Sequence, residues 1–354
     1  MKKRVLLGMS GGVDSSVSAI LLKEQGYEVI GCTMILCENT KKEDVNQAIT
    51  DAKKVCEKLK IEHHTIDLRK EFSDYVINPF IKEYENATTP NPCVECNKYI
   101  KFGLLYKKAE ELKCDYIATG HYARIEYSEK YKQKVLKKAK AEKKDQSYFL
   151  YGITKEKLDH IIFPLQDYTD KTEIREIAKQ NGLEIAEKKD SQEICFIQDN
   201  DYVKFLKNQK QFKTKKGNII LTTGEILGKH EGIYKYTIGQ RKGLGISYSE
   251  PLYVTKVDSQ KNQVIVGKEK ELYTKELYAK NLNWQINIPK KETKELKCLA
   301  KIRYRAKEAE ATVFFEEDKV KVKFEENQRA ITPGQSVVFY DNEGILLGGG
   351  KIEI

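Results

Sequence analysis

The chain opens with a short apolar run, Arg4–Met9 (RVLLGM), placed directly ahead of a glycine-rich turn, which predicts a buried strand. Ser15–Gln25 follows, with Val17, Ile20, Leu21 and Leu22 at helical spacing and Gly26 as a stop signal. The alternation continues with strand Tyr27–Leu36, helix Val45–Leu59, strand Glu62–Leu68, helix Ile100–Leu112 and strand Asp115–Thr119. Parallel strands need crossover segments, so this order predicts an α/β N-terminal domain, a parallel sheet with helices on both faces.

Around residues 205–220 the period changes. Leu252–Val257, Gln263–Val266, Thr312–Phe315, Lys319–Phe324 and Ser336–Tyr340 are short strands separated by Gly and Asn turns. Two small all-β domains are expected there, the last barrel-like. The boundaries fall at residues 1–204, 205–275 and 276–354, with no internal repeat. One stretch is biased: Lys130–Lys144 holds eight Lys and one Glu. It reads either as a solvated hairpin or mobile loop, or as an arm that contacts phosphates.

At 354 residues the chain has room for two or three cores. The net charge of +10 fits a polyanionic partner such as RNA, although basic composition alone is a weak argument. No stretch approaches the roughly 18 apolar residues of a membrane span, so no membrane partner is expected. Met1-Lys2-Lys3-Arg4 is basic, but Val5-Leu6-Leu7 runs at once into glycine without the apolar segment of an export signal. A cytoplasmic protein is expected. Its eight cysteines are then thiols, most of them packed as small hydrophobes.

Gly8-Met9-Ser10-Gly11-Gly12-Val13-Asp14-Ser15 joins the first strand to the first helix. Paired glycines let consecutive N–H groups converge on an anion, and the helix N-terminus adds positive partial charge. Ser10 and Ser15 add hydroxyl donors, and Asp14 can hold a magnesium ion that bridges phosphates. The segment lacks Gly-Lys-Ser/Thr and the dinucleotide GxGxxG spacing, so it is neither of those loops. SGGVDS resembles the pyrophosphate loop of the adenine-nucleotide α-hydrolase-like enzymes, which cleave ATP to pyrophosphate and transfer AMP to a substrate oxygen.

Thr89-Pro90-Asn91-Pro92-Cys93-Val94-Glu95-Cys96 forms a second chemical segment, with Lys98 and Lys101 just beyond. Cys96, at or just before a helix and near two cations, is expected to be thiolate-like. Lys188–Ile197 (KKDSQEICFI) again sets a cysteine, Cys195, among cations. Two such thiols suit sulfur transfer. A structural zinc site would need two further ligands, and His63, His64 and His121 have no finger-like spacing.

These segments resemble those of the tRNA-specific 2-thiouridylases over nearly the whole chain. The likeness also includes Met34, Gly120–Arg124 (GHYAR), Lys144–Leu150 (KDQSYFL), Tyr236–Gly245 (YTIGQRKGLG), Arg303-Tyr304-Arg305 and Thr332–Gln335 (TPGQ). It implies ATP-dependent 2-thiolation of the wobble uridine, by adenylation of the uracil C2 oxygen and attack by sulfur, with release of AMP and pyrophosphate. ATP, with Mg2+, would be held by Gly8, Met9, Ser10, Gly11, Gly12, Val13, Asp14, Ser15, Met34 and Gly120. Cys195 would carry a persulfide and Cys96 would close a disulfide when sulfur leaves. Asn91, Pro92 and Cys93 would face the target base. His121, Lys144, Asp145, Gln146, Arg303, Tyr304 and Gln335 would contact the tRNA, through its anticodon stem-loop. Tyr304 and Tyr122 read equally as base-stacking or core tyrosines. A cysteine desulfurase or relay protein would supply the sulfur.

The chain departs from the family pattern at Cys93, where many members carry Asp. Cys93, Cys96 and Cys195 then form a three-thiolate set like that of related thiolases that hold a [4Fe-4S] cluster with one open iron. The persulfide–disulfide and cluster routes both stand open on the sequence.

Overall fold

The computed structural model describes residues 2–37, 42–187, 194–197, 200–288 and 294–353. The segment 188–193, which holds most of KKDSQEICF, lies outside them.

Strands β1 (Arg4–Gly8), β2 (Glu28–Ile35), β3 (Glu62–Asp67), β4 (Tyr116–Thr119) and the short β7 (Ile161–Ile162) form one parallel sheet in the order β3-β2-β1-β4-β7. β1 is central, and Val5, Leu6 and Leu7 are fully buried, as a strand covered on both faces demands. Val5 and Leu7 face the core that holds α1 (Val13–Glu24), while Leu6 packs into the opposite core with Phe102 and Leu105. α2 (Lys42–Leu59) joins β2 to β3. Beyond β3, α3 runs through Arg69–Phe72, Ser73–Ile77 and Asn78–Glu85. α4 comprises Pro92–Glu95, wide π-type turns over Cys96–Leu104, and Leu105–Glu111. It starts earlier than the apolar period predicts because Pro92, with its fixed φ and no N–H, opens the first turn.

The chain leaves β1 toward β2 and β3 on one side, then returns to place β4 on the other side of β1. This reversal opens a crevice beyond the carboxyl ends of β1 and β4, the place where open α/β sheets bind ligands. Gly8 ends β1, and Gly120 follows β4 at that edge.

The lysine-rich stretch contains a docked hairpin. β5 (Arg124–Ser128) pairs antiparallel with β6 (Gln133–Lys137), which matches the hairpin reading. Most of the eight lysines in the stretch pair with carboxylates of the protein. Lys130 pairs with Asp341, Lys134 with Asp159, Lys137 with Glu126, Lys138 with Glu308 and Lys140 with Asp167. Composition could not reveal this, because the carboxylates come from distant segments.

α5 (Lys171–Gln180) covers the first sheet, and α6 (Tyr202–Lys207) leads away from it. β8 (Gly217–Leu221), β9 (Ile226–His230), β10 (Tyr253–Asp258) and β11 (Gln263–Gly267) then form a four-stranded sheet in the order β10-β11-β8-β9, with its own core. β12 (Tyr273–Trp284), β13 (Glu295–Lys301), β14 (Ala309–Phe315), β15 (Val320–Arg329), β16 (Ser336–Tyr340) and β17 (Leu346–Glu353) close into a barrel.

The barrel is joined to the first domain by buried polar contacts. Tyr148 Oη donates to Ser336 O at 2.9 Å, and Gln285 Nε2 donates to the carbonyls of Leu150 and Ile153, each at 3.0 Å. Val338, Tyr340 and Leu346 extend the core that holds Leu6 and Phe102. Breaking this joint would strand buried donors and acceptors at roughly 1–3 kcal/mol each. Among the described residues, no helix is long and apolar enough to cross a membrane.

Candidate active site

The phosphate loop is built from the end of β1 and the first turn of α1. Gly12 caps the helix in an extended conformation, with no side chain closing that end. The first-turn N–H groups therefore keep capacity for an anion. Ser15 Oγ donates to Gly12 O at 3.1 Å, and Ser10 N donates to Ser15 Oγ at 3.3 Å, so the serines hold the loop in shape. Gly11 has φ +69°, and a Cβ there would lie 2.6 Å from Ala48 O; glycine is required. A Cβ on Gly120 would sit 3.0 Å from Asp14 C and Ser15 N, so the β4 edge seats the loop directly. Met9 and Val13 are buried beneath it, and half-buried Met34 touches the apolar clusters on the α4 side.

Asp14 is held from two sides. Tyr122 Oη donates to Oδ1 at 3.0 Å, and Lys171 Nζ donates to Oδ2 at 3.0 Å. Tyr122, only 3% exposed, is thus a core residue that orients Asp14 rather than a platform for a base. Lys171 was not anticipated. The available signal was a lysine at the first position of a helix, where a cation faces the positive end of the dipole unless it has a carboxylate partner.

Gly120 links this loop to the thiols. The next residue, His121, engages Thr119 Oγ1 through Nδ1 at 2.7 Å and Lys101 Nζ through Nε2 at 3.3 Å. Burial and the Lys101 charge hold His121 well below the usual imidazole range, so the ring is neutral. An ammonium can only donate, so Nε2 accepts from Lys101 and the proton resides on Nδ1. Lys101, on α4, in turn pulls down the pKa values of Cys93, Cys96 and Cys195.

The structure brings Cys96 and Cys195 together: each lies within electrostatic range of Lys101, Cys93 and Cys37, and Cys195 feels Cys96 most strongly of all its charged neighbours. Cys96 belongs to an apolar cluster with Phe72, Ile100 and Phe196, against which Ile194 and Cys37 pack. Cys195 itself is exposed and reachable. Cys96 is not thiolate-like, contrary to expectation. It lies one turn inside α4 rather than at its start, and burial pushes the thiol up to about 11 against the pull of Lys101. The surrounding protein also desolvates Cys93 and Cys195, although both side chains reach the surface, and this raises both thiols. Cys37 at the end of β2 was read only as a packed hydrophobe.

Of the residues expected to face tRNA, several are engaged within the protein. Asn91 caps α4, Pro92 is buried and Cys93 is exposed beside them. Asp145 accepts from Ala139 N and from Ser147 Oγ, and Gln146 Oε1 accepts from Tyr122 N at 3.0 Å. Lys144 is half-buried just before them. Gln335 Nε2 donates to Thr89 O at 2.9 Å and Pro90 O at 3.1 Å, so the barrel grips the segment that leads into Cys93. Arg303 donates to Ala330 O and Thr332 Oγ1, and half-buried Tyr304 packs on Phe149 with ring centroids 4.5 Å apart.

Among the described residues, no three His, Cys, Asp or Glu side chains stand together as a metal-binding set. The triad of thiolates that a cluster with an open iron needs is therefore not formed by Cys93, Cys96 and Cys195, and the same holds for a structural zinc site.

The three parts of the chain match three family models in turn: "tRNA methyl transferase HUP domain" over residues 3–199, "tRNA methyl transferase PRC-barrel domain" over 203–268 and "Aminomethyltransferase beta-barrel domain" over 274–352. This defines the class, a HUP nucleotide-loop domain followed by two β-barrel modules. The tRNA-specific 2-thiouridylase MnmA of Halothermothrix orenii is 51% identical over 358 residues, 99% of each chain. That of Clostridium botulinum (strain Alaska E43 / Type E3) is 50% identical over 360 residues, 99% of this chain and 98% of the relative. The chain belongs to the tRNA-specific 2-thiouridylase family. A solved 4-thiouridine synthetase–RNA complex with bound ATP is 21% identical over 53% of this chain and 43% of that one, with a TM-score of 0.37.

Proposed function

We propose that this protein is an ATP-dependent tRNA-uridine 2-sulfurtransferase acting on the wobble uridine by a persulfide–disulfide route. The observation that carries the reading is the Gly120-His121-Lys101 connection, which ties the phosphate loop to Cys96 and Cys195 at one edge of the sheet. The family models carry methyltransferase wording, but paired thiols beside a phosphate loop fit oxygen activation and sulfur delivery better.

The C2 oxygen of uracil leaves poorly, so it must first be made into a leaving group. Loop N–H groups from Gly11 to Ser15 hold the phosphates while that oxygen attacks the α-phosphorus and pyrophosphate departs. Asp14 would hold Mg2+, which would supply charge neutralisation at the phosphates; its two carboxylate oxygens accept from Tyr122 Oη and Lys171 Nζ. Exposed Cys195 receives sulfane sulfur from a cysteine desulfurase or relay protein. Its terminal sulfur attacks C2, and AMP leaves with the former C2 oxygen. Cys96 then attacks Cys195 Sγ, the Cys96–Cys195 disulfide forms, and the C2 sulfur departs on the tRNA. Two thiols are oxidised as one sulfane sulfur is reduced, so each turnover needs a thiol reductant. The wobble base reaches this crevice only when splayed from the anticodon stack.

The test combines protein, ATP, a persulfide-generating desulfurase and unmodified tRNA, with 2-thiouridine as readout. Cys96→Ser and Cys195→Ser should each abolish product; full product from both variants refutes the assignment.

A further inference from the structure

Pro90 and Pro92 bracket the residue that leads into α4. Each lacks an N–H and has a fixed φ, so Thr89–Pro92 is a stiff strut whose direction is set where it is anchored. The anchor at Thr89 and Pro90 comes from both β domains. In the barrel, the turn ahead of β16 contributes three bonds: Thr89 N donates to Pro333 O at 2.9 Å, and Gln335 Nε2 donates to Thr89 O at 2.9 Å and Pro90 O at 3.1 Å. The turn lies close against the strut. A Cβ on Gly334, whose φ is +88°, would come within 2.9 Å of Thr88 Cβ and of Thr89 N and O. From the four-stranded domain, Thr237 Oγ1 lies 3.3 Å from Thr89 Oγ1, so one hydroxyl donates to the other. Gln240 Oε1 accepts from Thr237 N at 3.1 Å and shapes that loop. Gly239 lets it rest on the barrel, since a Cβ there would lie 2.8 Å from Ala330 Cβ.

We propose that Gln335 and Thr237 are positioning residues for the target base: they fix the strut at Thr89–Pro90 and, through it, Asn91–Cys93. This rests on the reading that the protein thiolates a tRNA uridine and that Asn91–Cys93 face it. Two carbonyl oxygens can only accept, so both N–H groups of the Gln335 amide are committed to Thr89 and Pro90 and neither is left for a phosphate. Docking of the barrel does not depend on this amide. Tyr148 on Ser336 and Gln285 on Leu150 and Ile153 join the barrel to the first domain elsewhere. Gln335 therefore acts on the strut alone, and the pocket for the base is complete only when both β domains are in place. A strut without helical or sheet bonds of its own passes any slack at its anchor directly to the residues that meet the base. Misplacing a reacting group by about 1 Å slows a reaction about a hundredfold while leaving the remote binding contacts intact.

The experiment uses the full-length protein loaded by a desulfurase, with ATP and unmodified tRNA. It reads single-turnover 2-thiouridine formation at saturating tRNA, beside tRNA affinity by filter binding. Gln335→Met keeps the length of the side chain and removes both donors. It should slow the turnover about 10- to 100-fold, with tRNA affinity within about twofold of wild type and the thermal midpoint unchanged. Amide hydrogen exchange should quicken over residues 88–96 alone. Thr237→Val should slow the turnover about two- to tenfold, whereas Thr237→Ser, which keeps the hydroxyl, should match the wild type. Weaker tRNA binding by Gln335→Met with the saturated rate intact would make Gln335 a tRNA contact and overturn the proposal. So would a rate loss matched by a lower thermal midpoint, or unchanged rates in both Gln335→Met and Thr237→Val. Wild-type protein that forms no 2-thiouridine refutes the sulfurtransferase reading itself, and the proposal with it.

Discussion

Consider the titration of Cys96 when Lys101 is replaced by Met. Burial sets the Cys96 thiol at about 11, two units above the free-thiol value of 9.0, while the Lys101 ammonium pulls it down. Two units correspond to roughly 3 kcal/mol against forming the thiolate. At pH 8 about one Cys96 in a thousand is then ionised, against about one in ten for an unburied thiol. Iodoacetamide modification of Cys96, followed by peptide mass spectrometry, should therefore rise about tenfold per pH unit from pH 7 to 10, without a plateau. Lys101→Met removes the cation that favours the anion, so the rate at pH 8 should fall further, whereas Lys101→Arg should restore it. The same Met substitution frees His121 Nε2 and removes a cation from it, so the His121 pKa should rise toward 6.5, visible in its ring proton shifts. A Cys96 plateau below pH 8.5, or faster alkylation in Lys101→Met, would refute the electrostatic account of this site.

Asp14→Ala should abolish pyrophosphate release while leaving tRNA binding within a factor of about two; loss of tRNA binding with adenylation preserved contradicts that division of labour. Gly120→Ala places a methyl 3.0 Å from the loop backbone at Asp14 and Ser15. Overpacking of this kind costs about 1–3 kcal/mol, so nucleotide affinity measured by calorimetry should drop roughly 5- to 150-fold with the fold intact by circular dichroism. Protein purified without oxygen should be iron-free, colourless and active; stoichiometric iron and acid-labile sulfide with activity that depends on them would install the cluster route instead. Cys32, Cys56, Cys96 and Cys298 are all raised by burial, to about 12, 12, 11 and 12. Unfolding releases their protons above pH 9, so the unfolded state binds fewer protons and thermal stability should fall as pH climbs from 9 toward 11; a midpoint flat over that window contradicts it.

The parallel sheet and its helices were legible where apolar runs and helical stripes are buried as their period placed them, as in Val5-Leu6-Leu7 and Val17–Leu22. The phosphate loop was legible for a local reason: glycine conformations and a helix start are written into adjacent residues. What sequence could not show depends on distant partners. Cys96 looked activated because Lys98 and Lys101 are near in sequence, but the aromatic cluster of Phe72, Phe80 and Phe196 that desolvates it comes from other segments. Lys171 meets Asp14 across 157 positions. The partners of the lysine stretch were hidden for the same reason: Asp341 and Glu308, which pair with Lys130 and Lys138, lie far along the chain, beside the barrel strands. Lys144–Leu150 and Thr332–Gln335 looked like RNA-facing motifs, and the structure shows them also bolting the barrel to the first domain.

Oxygen transfer tests the chemistry at its first step. With tRNA carrying 18O at C2 of the wobble uridine and ATP of natural abundance, the AMP formed during one turnover should contain one 18O in its phosphate, matched to each 2-thiouridine produced. Unlabelled AMP alongside full 2-thiouridine formation would mean that the C2 oxygen was never bonded to phosphorus, and the account built on the phosphate loop and its neighbouring thiols would fail.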